Sequence, residues 1–438
     1  MYLCGATVQG APHIGHIRSS LSFDILSRWL THNSYDVTMC RNVTDIDDKI
    51  LHTAVHEERP WWAVATHYER EFTFAYDSLG IQRPTVEPRA TGHVPEMITL
   101  MQRLIDRGHA YASHGDVYFD VRSLPGYGSL SGMKLDEVSA PTDSDHLERK
   151  KDPRDFALWK SAKPGDPYWD TPWGPGRPGW HLECSAMATK YLGGAFDIHG
   201  GGLDLVFPHH ENELAQSRAA GDDFANYWLH NAWVTMSGEK MSKSLGNSLV
   251  VRNVLQRVRG IELRWYLSSG HYRSNLEFSE EAMLESAVSF RRIENFVSRA
   301  AEKFGEQDLS SVVLPDAFVS AMNDDLGVPA AVAVIHEYVS AGNRGENTGP
   351  VVRKMLDVLG ADPLSEQWRS ATSQDARLHQ ALDVMIQDAM HARAQARSNK
   401  DWAAADAIRD RLKAAGIDIE DTADGARWSL TDVEMEGA

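Results

Sequence analysis

The sequence has few cysteines, no long apolar run and no excess of basic residues, and each lack excludes a class of protein. Three cysteines in 438 residues are too few and too widely spaced for a disulfide framework, so we expect reduced thiols or metal ligands in a reducing compartment. No apolar run approaches the roughly 20 residues that cross a bilayer, which argues against a membrane protein. Strand-like Tyr2-Leu3 follows Met1 without a basic leader, and we therefore expect a cytoplasmic protein.

The formal charge of -18 argues against a general electrostatic attraction to nucleic acid. An RNA partner would have to be held by local basic patches and by shape. The apolar share of 42% and the charged share of 24% are those of an ordinary globular protein. A chain of this length usually divides into about three domains.

The first part of the chain has the pattern of a β-α-β unit. After a short apolar strand, apolar residues recur at every fourth position of a predicted helix: Ile17, Leu21, Ile25 and Trp29. Residues 37–43 then return to an apolar strand pattern. Such units build parallel sheets whose ligands lie beyond the carboxyl ends of the strands. We therefore predict an α/β, Rossmann-type fold with a site that begins almost at the first residue.

Changes in composition divide the chain into predicted regions. The α/β catalytic region covers 1–250, and residues 122–155, which are rich in Gly and Pro and lack periodicity, are interpreted as an insertion in it. We expect the α/β pattern to resume with a strand at 156–159 and to end with a strand at 232–236. Three regions are predicted to follow: a connecting region at 251–290, an all-α bundle at 291–395 and a small C-terminal module at 396–438.

Two motifs have the features of an ATP site, and the first is His13-Ile14-Gly15-His16. It opens the first predicted helix, where a phosphate would meet free backbone N–H groups. The imidazoles of His13 and His16 can donate hydrogen bonds to an α-phosphate in the transition state, and Gly15 lets the nucleotide approach the backbone. Taken alone, the tetrapeptide also fits histidines that only cap a helix.

The second motif, Lys240-Met241-Ser242-Lys243-Ser244, follows the last predicted strand of the α/β region. The ammonium groups of Lys240 and Lys243 can meet the charge that develops on a departing pyrophosphate. Taken alone, this stretch also fits a solvated surface loop. We favour an ATP site because the two motifs follow the first and the last strand, at the same edge of one predicted sheet.

Cys4, Cys184, His209 and Glu213 form a candidate zinc site. His209 and Glu213 are four residues apart at the start of a helix announced by Pro208, so their side chains project from one face. Two sulfurs, one nitrogen and one carboxylate are a zinc-type ligand set, and their wide scatter suggests a site inside the active centre. The alternative is that the cysteines are small buried apolar residues and the histidine caps a helix.

These motifs resemble those of a known family. The histidine and lysine motifs are similar to the HIGH and KMSKS signatures of class I aminoacyl-tRNA synthetases, and the chain as a whole resembles the cysteinyl-tRNA synthetases within that class. The resemblance runs to the last helices. The stretches that carry it most specifically are 2–8, 42–49, 179–184, 200–202 and 207–213.

The resemblance implies that the protein activates L-cysteine with ATP, accompanied by Mg²⁺, and passes it from cysteinyl-adenylate to the 3′ end of tRNA(Cys). It implies one zinc ion at the four candidate ligands, which would bind the substrate thiolate and reject serine without editing. The residues that it assigns to catalysis are His13, His16, Lys240 and Lys243. Those that it assigns to the nucleotide are Gly15, Gly200, Gly201, Gly202 and Lys243, and those assigned to the substrate are Gly5, Thr7, Thr44, Trp180 and Asp204.

The C-terminal module resembles the anticodon-reading end of the family. The resemblance suggests that the residues Arg409, Arg411, Lys413 and Arg427 meet phosphates and that Trp428 stacks on an unpaired base. The alternative is that the helix is simply solvated and that the tryptophan is a core residue. The resemblance also implies a monomer. The chain starts at the first strand, whereas family members usually carry a short segment before it, and a clipped or a misassigned start would each account for this difference.

Two other functions fit part of the pattern. A related cysteine ligase of mycothiol biosynthesis shares the zinc pocket and the adenylate chemistry, but it passes cysteine to an amino sugar and needs no anticodon module. The tail at 425–428 and the form of the histidine motif favour tRNA as the acceptor. A non-catalytic, zinc-stabilised tRNA-binding protein would predict a broken signature, and neither signature is broken.

Overall fold

The structure, a computed structural model, describes residues 1–137, 146–236, 238–240, 249–369, 386, 389–390, 392–393, 395–397, 401–415, 417–422 and 425–430. Of residues 239–240, 414, 418–422 and 425–430 it describes the backbone alone. The chain divides into two compact units, Met1–Pro363 and Leu364–Ala438.

The strands of the first unit, in chain order, are β1 (Tyr2–Leu3), β2 (Cys40–Arg41), β3 (Ala110–Ser113), β4 (Asp116–Phe119), β5 (Phe156–Ser161), β6 (Gly176–Pro178), β7 (Ala195–Gly202), β8 (Phe224–Asn231), β9 (Val234–Met236), β10 (Glu239–Lys240) and β11 (Leu276–Glu277). Its helices are α1 (Ile14–His32), α2 (Asp48–His56), α3 (Trp61–Ser78), α4 (Val94–Asp106), α5 (Trp180–Leu192), α6 (Glu211–Ala220), α7 (Val251–Val254), α8 (Gly260–Ser268), α9 (Glu280–Phe304), α10 (Asp316–Asn323), α11 (Val328–Asn343) and α12 (Gly349–Val358).

A parallel sheet forms the centre of the first unit. Its strands lie in the order β2-β1-β7-β8, and every neighbouring pair is parallel. Tyr2 of β1 pairs with Cys40 on one side and with His199 on the other. Helix α1 connects β1 to β2 and buries the apolar face that the spacing predicts. The predicted parallel α/β fold is confirmed.

The strand predicted at 37–43 is shorter in the structure, where β2 holds only Cys40–Arg41. The backbone on either side of β2 bonds to another segment instead: the Val86 N–H donates to the Met39 carbonyl, and the Ala90 N–H donates to the Val43 carbonyl, both at 3.1 Å. The apolar residues that flank β2 therefore pair with the segment 86–90, outside the main sheet.

A second, antiparallel sheet lies between β2 and β7 in the sequence, with the strand order β3-β4-β5-β6. Strands β3 and β4 precede the segment 122–155 that the sequence indicates as an insertion, and β5 and β6 follow it. The apolar stretch at 156–159, expected to return to the parallel sheet, is instead the start of β5 in this second sheet. The parallel sheet resumes only with β7.

The stretch expected as a strand at 232–236 contains β9, which pairs with β10 and β11 in a small third sheet. From α9 to α12 the regular secondary structure of the described residues is all helical, as expected. Phe290, Ile293 and Phe296 lie on one face of α9, and all three are buried.

A buried ion pair joins α8, in the connecting region, to α1. Asp24 in α1 accepts a hydrogen bond from Arg264 in α8, and the two side chains are 1% and 0% exposed. Arg264 also donates to the carbonyl oxygens of Leu79, Gly80 and Leu359. One guanidinium therefore links α1, α8, the turn after α3 and the end of α12.

The second unit contains α13 (Trp402–Ala414) and a hairpin of β12 (Ile417–Thr422) and β13 (Gly425–Leu430). The helix lies within the C-terminal module that the sequence predicts at 396–438. Asp401 caps α13, since its side chain accepts a hydrogen bond from the Ala404 N–H. Among the described residues of both units, no helix is long and apolar enough to span a bilayer.

Candidate active site and metal centre

The carboxyl ends of the parallel strands bring together residues from distant parts of the sequence. The Cys4 N–H, just beyond β1, donates to the carbonyl of Gly200 at the end of β7 (3.1 Å). On the other side, the Gly5 N–H donates to Oδ1 of Asn42 at 2.8 Å, and Thr7 pairs with Thr44 in an isolated bridge. The edge at which the site was expected is therefore built from three strands.

Two glycines allow this close packing. A Cβ at Gly5 would lie 1.7 Å from the carbonyl oxygen of Asn42. At Gly200 it would lie 2.0 Å from the carbonyl oxygen of Leu229 and 2.4 Å from the ring of Phe23. Real Cβ atoms do not approach backbone this closely. Both positions require glycine for the packing of neighbouring strands and helices, independently of any ligand.

The four candidate zinc ligands come together at this edge. The donor atoms of Cys4, Cys184, His209 and Glu213 all lie within 4.8 Å of one another, and the last three residues are buried. The two sulfurs are 3.8 Å apart, Cys4 Sγ is 3.3 Å from Glu213 Oε1, and His209 Nε2 is 2.8 Å from the same oxygen. A tetrahedral ion with metal–sulfur bonds of about 2.3 Å holds two sulfurs about 3.8 Å apart. The donor set fits a zinc ion in both chemistry and spacing.

The charges in this cluster favour a cation. Burial would raise the pKa of the Cys184 thiol, but hydrogen bonds from Cys4 and His209 lower it to about 6. Burial raises the pKa of the Cys4 thiol well above its usual value. Although burial opposes it, the charge of His209 holds the pKa of Glu213 well below normal. A divalent cation would compensate the buried negative charge of thiolate and carboxylate ligands at this cluster.

Side chains around the cluster orient the ligands. His181 Nδ1 lies 3.0 Å from Nδ1 of His209, which leaves Nε2 of His209 facing Glu213. The Trp180 ring stacks on the His209 ring. Nε2 of His199 lies 3.0 Å from the other Glu213 oxygen. Partners of this kind fix the ring orientation of a metal-binding histidine.

Sequence reasoning missed several of these residues. His199 and His210, which the sequence did not single out, form with the predicted ligands Cys4 and Glu213 a second set whose donor atoms lie within 4.8 Å of one another. His181 directly follows Trp180, in a stretch that was singled out, but nothing in the sequence distinguishes it from a core histidine. Its position next to Trp180, which the resemblance assigns to the substrate, is the signal in the sequence that could have pointed to His181.

The candidate substrate contacts differ in exposure. Thr44 is completely buried and accepts a hydrogen bond from Nδ2 of Asn42 at 3.1 Å. Trp180 is partly buried, as expected for the wall of a pocket. Asp204 is exposed and accepts a hydrogen bond from Nε1 of Trp233 at 3.2 Å.

The histidine motif lies at the start of α1. His13 is the residue before the first turn, and its ring stacks on that of His16 with centroids 3.6 Å apart. The Ile14 N–H donates to the Leu249 carbonyl, and the Val251 N–H donates to the Pro12 carbonyl, at 3.1 and 3.0 Å. Residues 249–251, which follow the lysine motif at 240–244 (the lysine loop), are thus bonded to the start of α1.

The lysine loop itself is described only in part. The backbone of Lys240 ends β10, whereas its side chain and all of Lys243 lie outside the described residues. In the second unit, Arg409, Arg411 and Lys413 are exposed on α13. The side chains of 427 and 428 lie outside the described part.

Comparisons with known proteins agree with this architecture. Residues 1–288 match the model of the class I tRNA synthetase (C) catalytic domain, 317–362 match the DALR domain, and 379–428 match the cysteinyl-tRNA ligase anticodon binding domain. Cysteine–tRNA ligases from Streptomyces griseus subsp. griseus and Streptomyces avermitilis are each 56% identical over 439 residues, which cover 98% of this chain and 94% of theirs.

A solved structure of Mycobacterium tuberculosis methionyl-tRNA synthetase bound by methionyl-adenylate has the same fold. It superposes with a TM-score of 0.61 and 15% identity, over 83% of this chain and 92% of that one.

Proposed function

Because the chain belongs to the cysteine–tRNA ligases of the class I aminoacyl-tRNA synthetases, we propose how its residues divide the two steps of that reaction. The protein joins L-cysteine to tRNA(Cys) and uses ATP. In the first step a carboxylate oxygen of cysteine attacks the α-phosphorus of ATP, and the bond to the bridging oxygen of the leaving pyrophosphate breaks. In the second step the terminal ribose hydroxyl of the tRNA attacks the carbonyl carbon of cysteinyl-adenylate, and AMP leaves.

The first step is assigned to the residues at the start of α1 and to the lysine loop. His13 and His16 lie at a helix N-terminus, where imidazole and backbone N–H groups can donate to a phosphate. Lys240 and Lys243 are assigned to the charge that develops on pyrophosphate, which Mg²⁺ accompanies. The backbone bonds from Ile14 to Leu249 and from Val251 to Pro12 support this division, because they hold the residues that follow the lysine loop beside the histidine motif.

Selection of cysteine is assigned to the buried donor cluster, and this cluster is the observation that carries the proposal. Cys4, Cys184, His209 and Glu213 would hold zinc, and bound zinc would take the substrate thiol as its thiolate, a soft ligand that serine cannot supply. Trp180 covers the face of His209 and would form one wall of the amino-acid pocket. The further substrate contacts proposed are Gly5, Thr7, Thr44 and Asp204, and the nucleotide is proposed to lie along Gly15 and residues 200–202.

We assign anticodon reading to the C-terminal module at 396–438, with 251–290 and 291–395 as the connecting and helical regions between it and the catalytic region at 1–250. The exposed basic residues of α13 support this assignment, because they can meet tRNA phosphates in a chain that is acidic overall. A monomeric, cytoplasmic enzyme is also proposed. An amino-sugar acceptor would leave this module without a role.

The test is cysteine-dependent exchange of labelled pyrophosphate into ATP, with serine as the control, followed by transfer to tRNA(Cys) or to an amino sugar. Exchange with cysteine alone and transfer to tRNA are expected, from protein that contains one zinc ion per chain. Equal exchange with serine would exclude the thiolate-selecting site. Full activity without bound metal would exclude zinc.

A further inference from the structure

Glu211 lies between the proposed metal ligands His209 and Glu213, and its side chain is 1% exposed. Its two carboxylate oxygens accept four hydrogen bonds, all from one glycine-rich loop at 126–132, the anchoring loop. The donors are the backbone N–H groups of Gly128 (2.9 Å), Leu130 (3.1 Å) and Ser131 (2.8 Å) and the hydroxyl of Ser131 (2.9 Å). A buried carboxylate is stable only when its oxygens are bonded in this way.

The anchoring loop is shaped for this contact. Gly128 has a φ of +95°, and a Cβ there would lie 1.9 Å from the carbonyl oxygen of Met133, so the position requires glycine. Next to it, the hydroxyl of Tyr127 donates to Oδ1 of Asn212 at 2.5 Å. The loop therefore bonds to two consecutive residues in the first turn of α6.

The chain before α6 needs such support. Residues Val206–His210 form an irregular turn in which Phe207 has an extended backbone (φ -137°, ψ 133°), and α6 has no side-chain cap. Phe207 is the one residue of this turn with a non-helical backbone, so the helical backbone that carries His209 and Glu213 begins directly after a break in the chain. Contacts from outside the helix must therefore hold its first turn if these two donors are to meet Cys4 and Cys184, which lie on other elements. Metal ligands must be held to within about 0.5 Å of their productive positions.

We propose that Glu211 is a positioning residue for the metal centre, through which the anchoring loop fixes the first turn of α6, and with it His209 and Glu213, relative to Cys4 and Cys184. The second sheet of the catalytic unit thereby sets the metal affinity of a site to which it contributes no ligand. This inference rests on the proposed function, because it takes the four donors as the zinc site. Groups that orient metal ligands typically change metal affinity about 10- to 100-fold when they are replaced.

The test compares Glu211→Gln, Gly128→Ala and the double variant in the full chain. Zinc affinity is measured by competition with a chelator, and the ligand geometry by the visible absorption of the Co²⁺-substituted protein. Each single variant is expected to bind zinc about 10- to 100-fold more weakly and to shift the Co²⁺ bands. The double variant is expected to have the same zinc affinity as the weaker-binding of the two single variants, because both changes break the same contact.

The matched control is Asp116→Asn in β4. Asp116 is also a buried carboxylate that anchors the second sheet, since it accepts from the Ser161 N–H at 2.8 Å and from the Tyr118 hydroxyl at 2.9 Å. This variant is expected to lose thermal stability while it keeps wild-type zinc affinity. A purely structural role for Glu211 would make the two carboxylate variants behave alike.

Each failure has its own signature. Wild-type protein that binds no zinc would overturn the zinc site itself, whereas wild-type zinc affinity in folded Glu211→Gln would overturn the positioning role alone. If that variant does not fold, Ser131→Ala removes one of the four bonds and keeps the backbone donors. Zinc binding about threefold weaker is then expected, and unchanged binding would contradict the inference.

Discussion

The indole ring of Trp180 lies almost parallel to the imidazole of His209, with ring centroids 4.1 Å apart and planes inclined by 15°. His181 meets Nδ1 of the same imidazole, and Glu213 meets its Nε2. The His209 ring is thus held at one face and at both nitrogens. A wall of the proposed amino-acid pocket and a proposed metal ligand form a single packed group.

This stacking predicts a graded effect of substitutions at Trp180. Trp180→Ala removes the ring from the face of His209 and is expected to raise the KM for cysteine about tenfold or more and to weaken zinc binding. Trp180→Phe keeps a ring at this position, so its KM for cysteine and its zinc affinity should lie between those of the wild type and of Trp180→Ala. Pyrophosphate-exchange kinetics at varied cysteine concentration measure the first effect, and chelator competition the second. Equal KM values for the Ala variant and the wild type would contradict the assignment.

The buried pair of Asp24 and Arg264 predicts a large loss of stability when one partner is removed. Asp24→Asn leaves the Arg264 guanidinium buried without its anion and is expected to cost about 3–5 kcal/mol in the free energy of unfolding. The exposed pair of Asp77 and Arg83, with both side chains about half exposed, supplies the control. Asp77→Asn should cost less than about 1 kcal/mol. Urea denaturation compares the two, and similar losses would contradict the prediction.

The same pair predicts how stability depends on pH. Burial alone would raise the pKa of Asp24, but Arg264, Arg28 and the Gln82 N–H together hold it below its usual value. Because the pKa in the folded state is lower than the unfolded value of about 3.9, the stabilisation is present at neutral pH and is lost as the pH falls below about 4. The difference in unfolding free energy between wild type and Asp24→Asn should therefore shrink in acid, which titration of the urea midpoint would detect.

Removal of the metal is expected to destabilise the protein. A ligand that binds only the folded state adds about 2.7 kcal/mol when its free concentration is 100 times Kd. A chelator should therefore lower the Tm of the wild type and leave that of Cys184→Ser unchanged. Cys40 is the matched control, because it is fully buried in β2 and is not one of the clustered donors. Cys40→Ala should bind zinc like the wild type, and an insensitive wild-type Tm would contradict the prediction.

The close packing at Gly200 predicts that a single methyl group disturbs the site. In Gly200→Ala the new Cβ meets the Leu229 carbonyl oxygen and the ring of Phe23, and the cost is expected to be about 1–3 kcal/mol. The KM for cysteine should also rise, since the Gly200 carbonyl accepts a hydrogen bond from the Cys4 N–H. Gly92 is the control, because a Cβ there meets nothing within 4 Å. Thermal denaturation and exchange kinetics of both variants check the prediction.

The features predicted correctly from the sequence are those with a local signature. The spacing of Ile17, Leu21 and Ile25 fixes a buried helix face, whatever the helix packs against. The apolar stretch at 156–159 equally predicts a strand, but a strand's own residues do not specify its partner, and β5 pairs within the antiparallel sheet. Strand pairing is decided by contacts between distant residues, and a single sequence does not contain that information.

The same limit applies to the site. Cys4, Cys184, His209 and Glu213 could be grouped because their chemistry suits one metal. Nothing local separates Glu211 from Glu213, however, although one carboxylate contacts the anchoring loop and the other lies among the proposed ligands. The role of a side chain that positions others depends on what surrounds it, and the surroundings come from the tertiary fold.

The first strand has a further consequence for the order in which the protein is made. β1 pairs with β7, and Cys4, which follows β1, is separated from Cys184 by 180 positions. At a synthesis rate of about 5–20 residues per second, a newly made Cys4 waits roughly 10–40 s before its partner thiol exists. Throughout that interval the thiol is open to oxidation and to stray metal ions. Thiol-protective conditions in the cell during synthesis therefore matter more to this enzyme than to one whose ligands are neighbours in sequence.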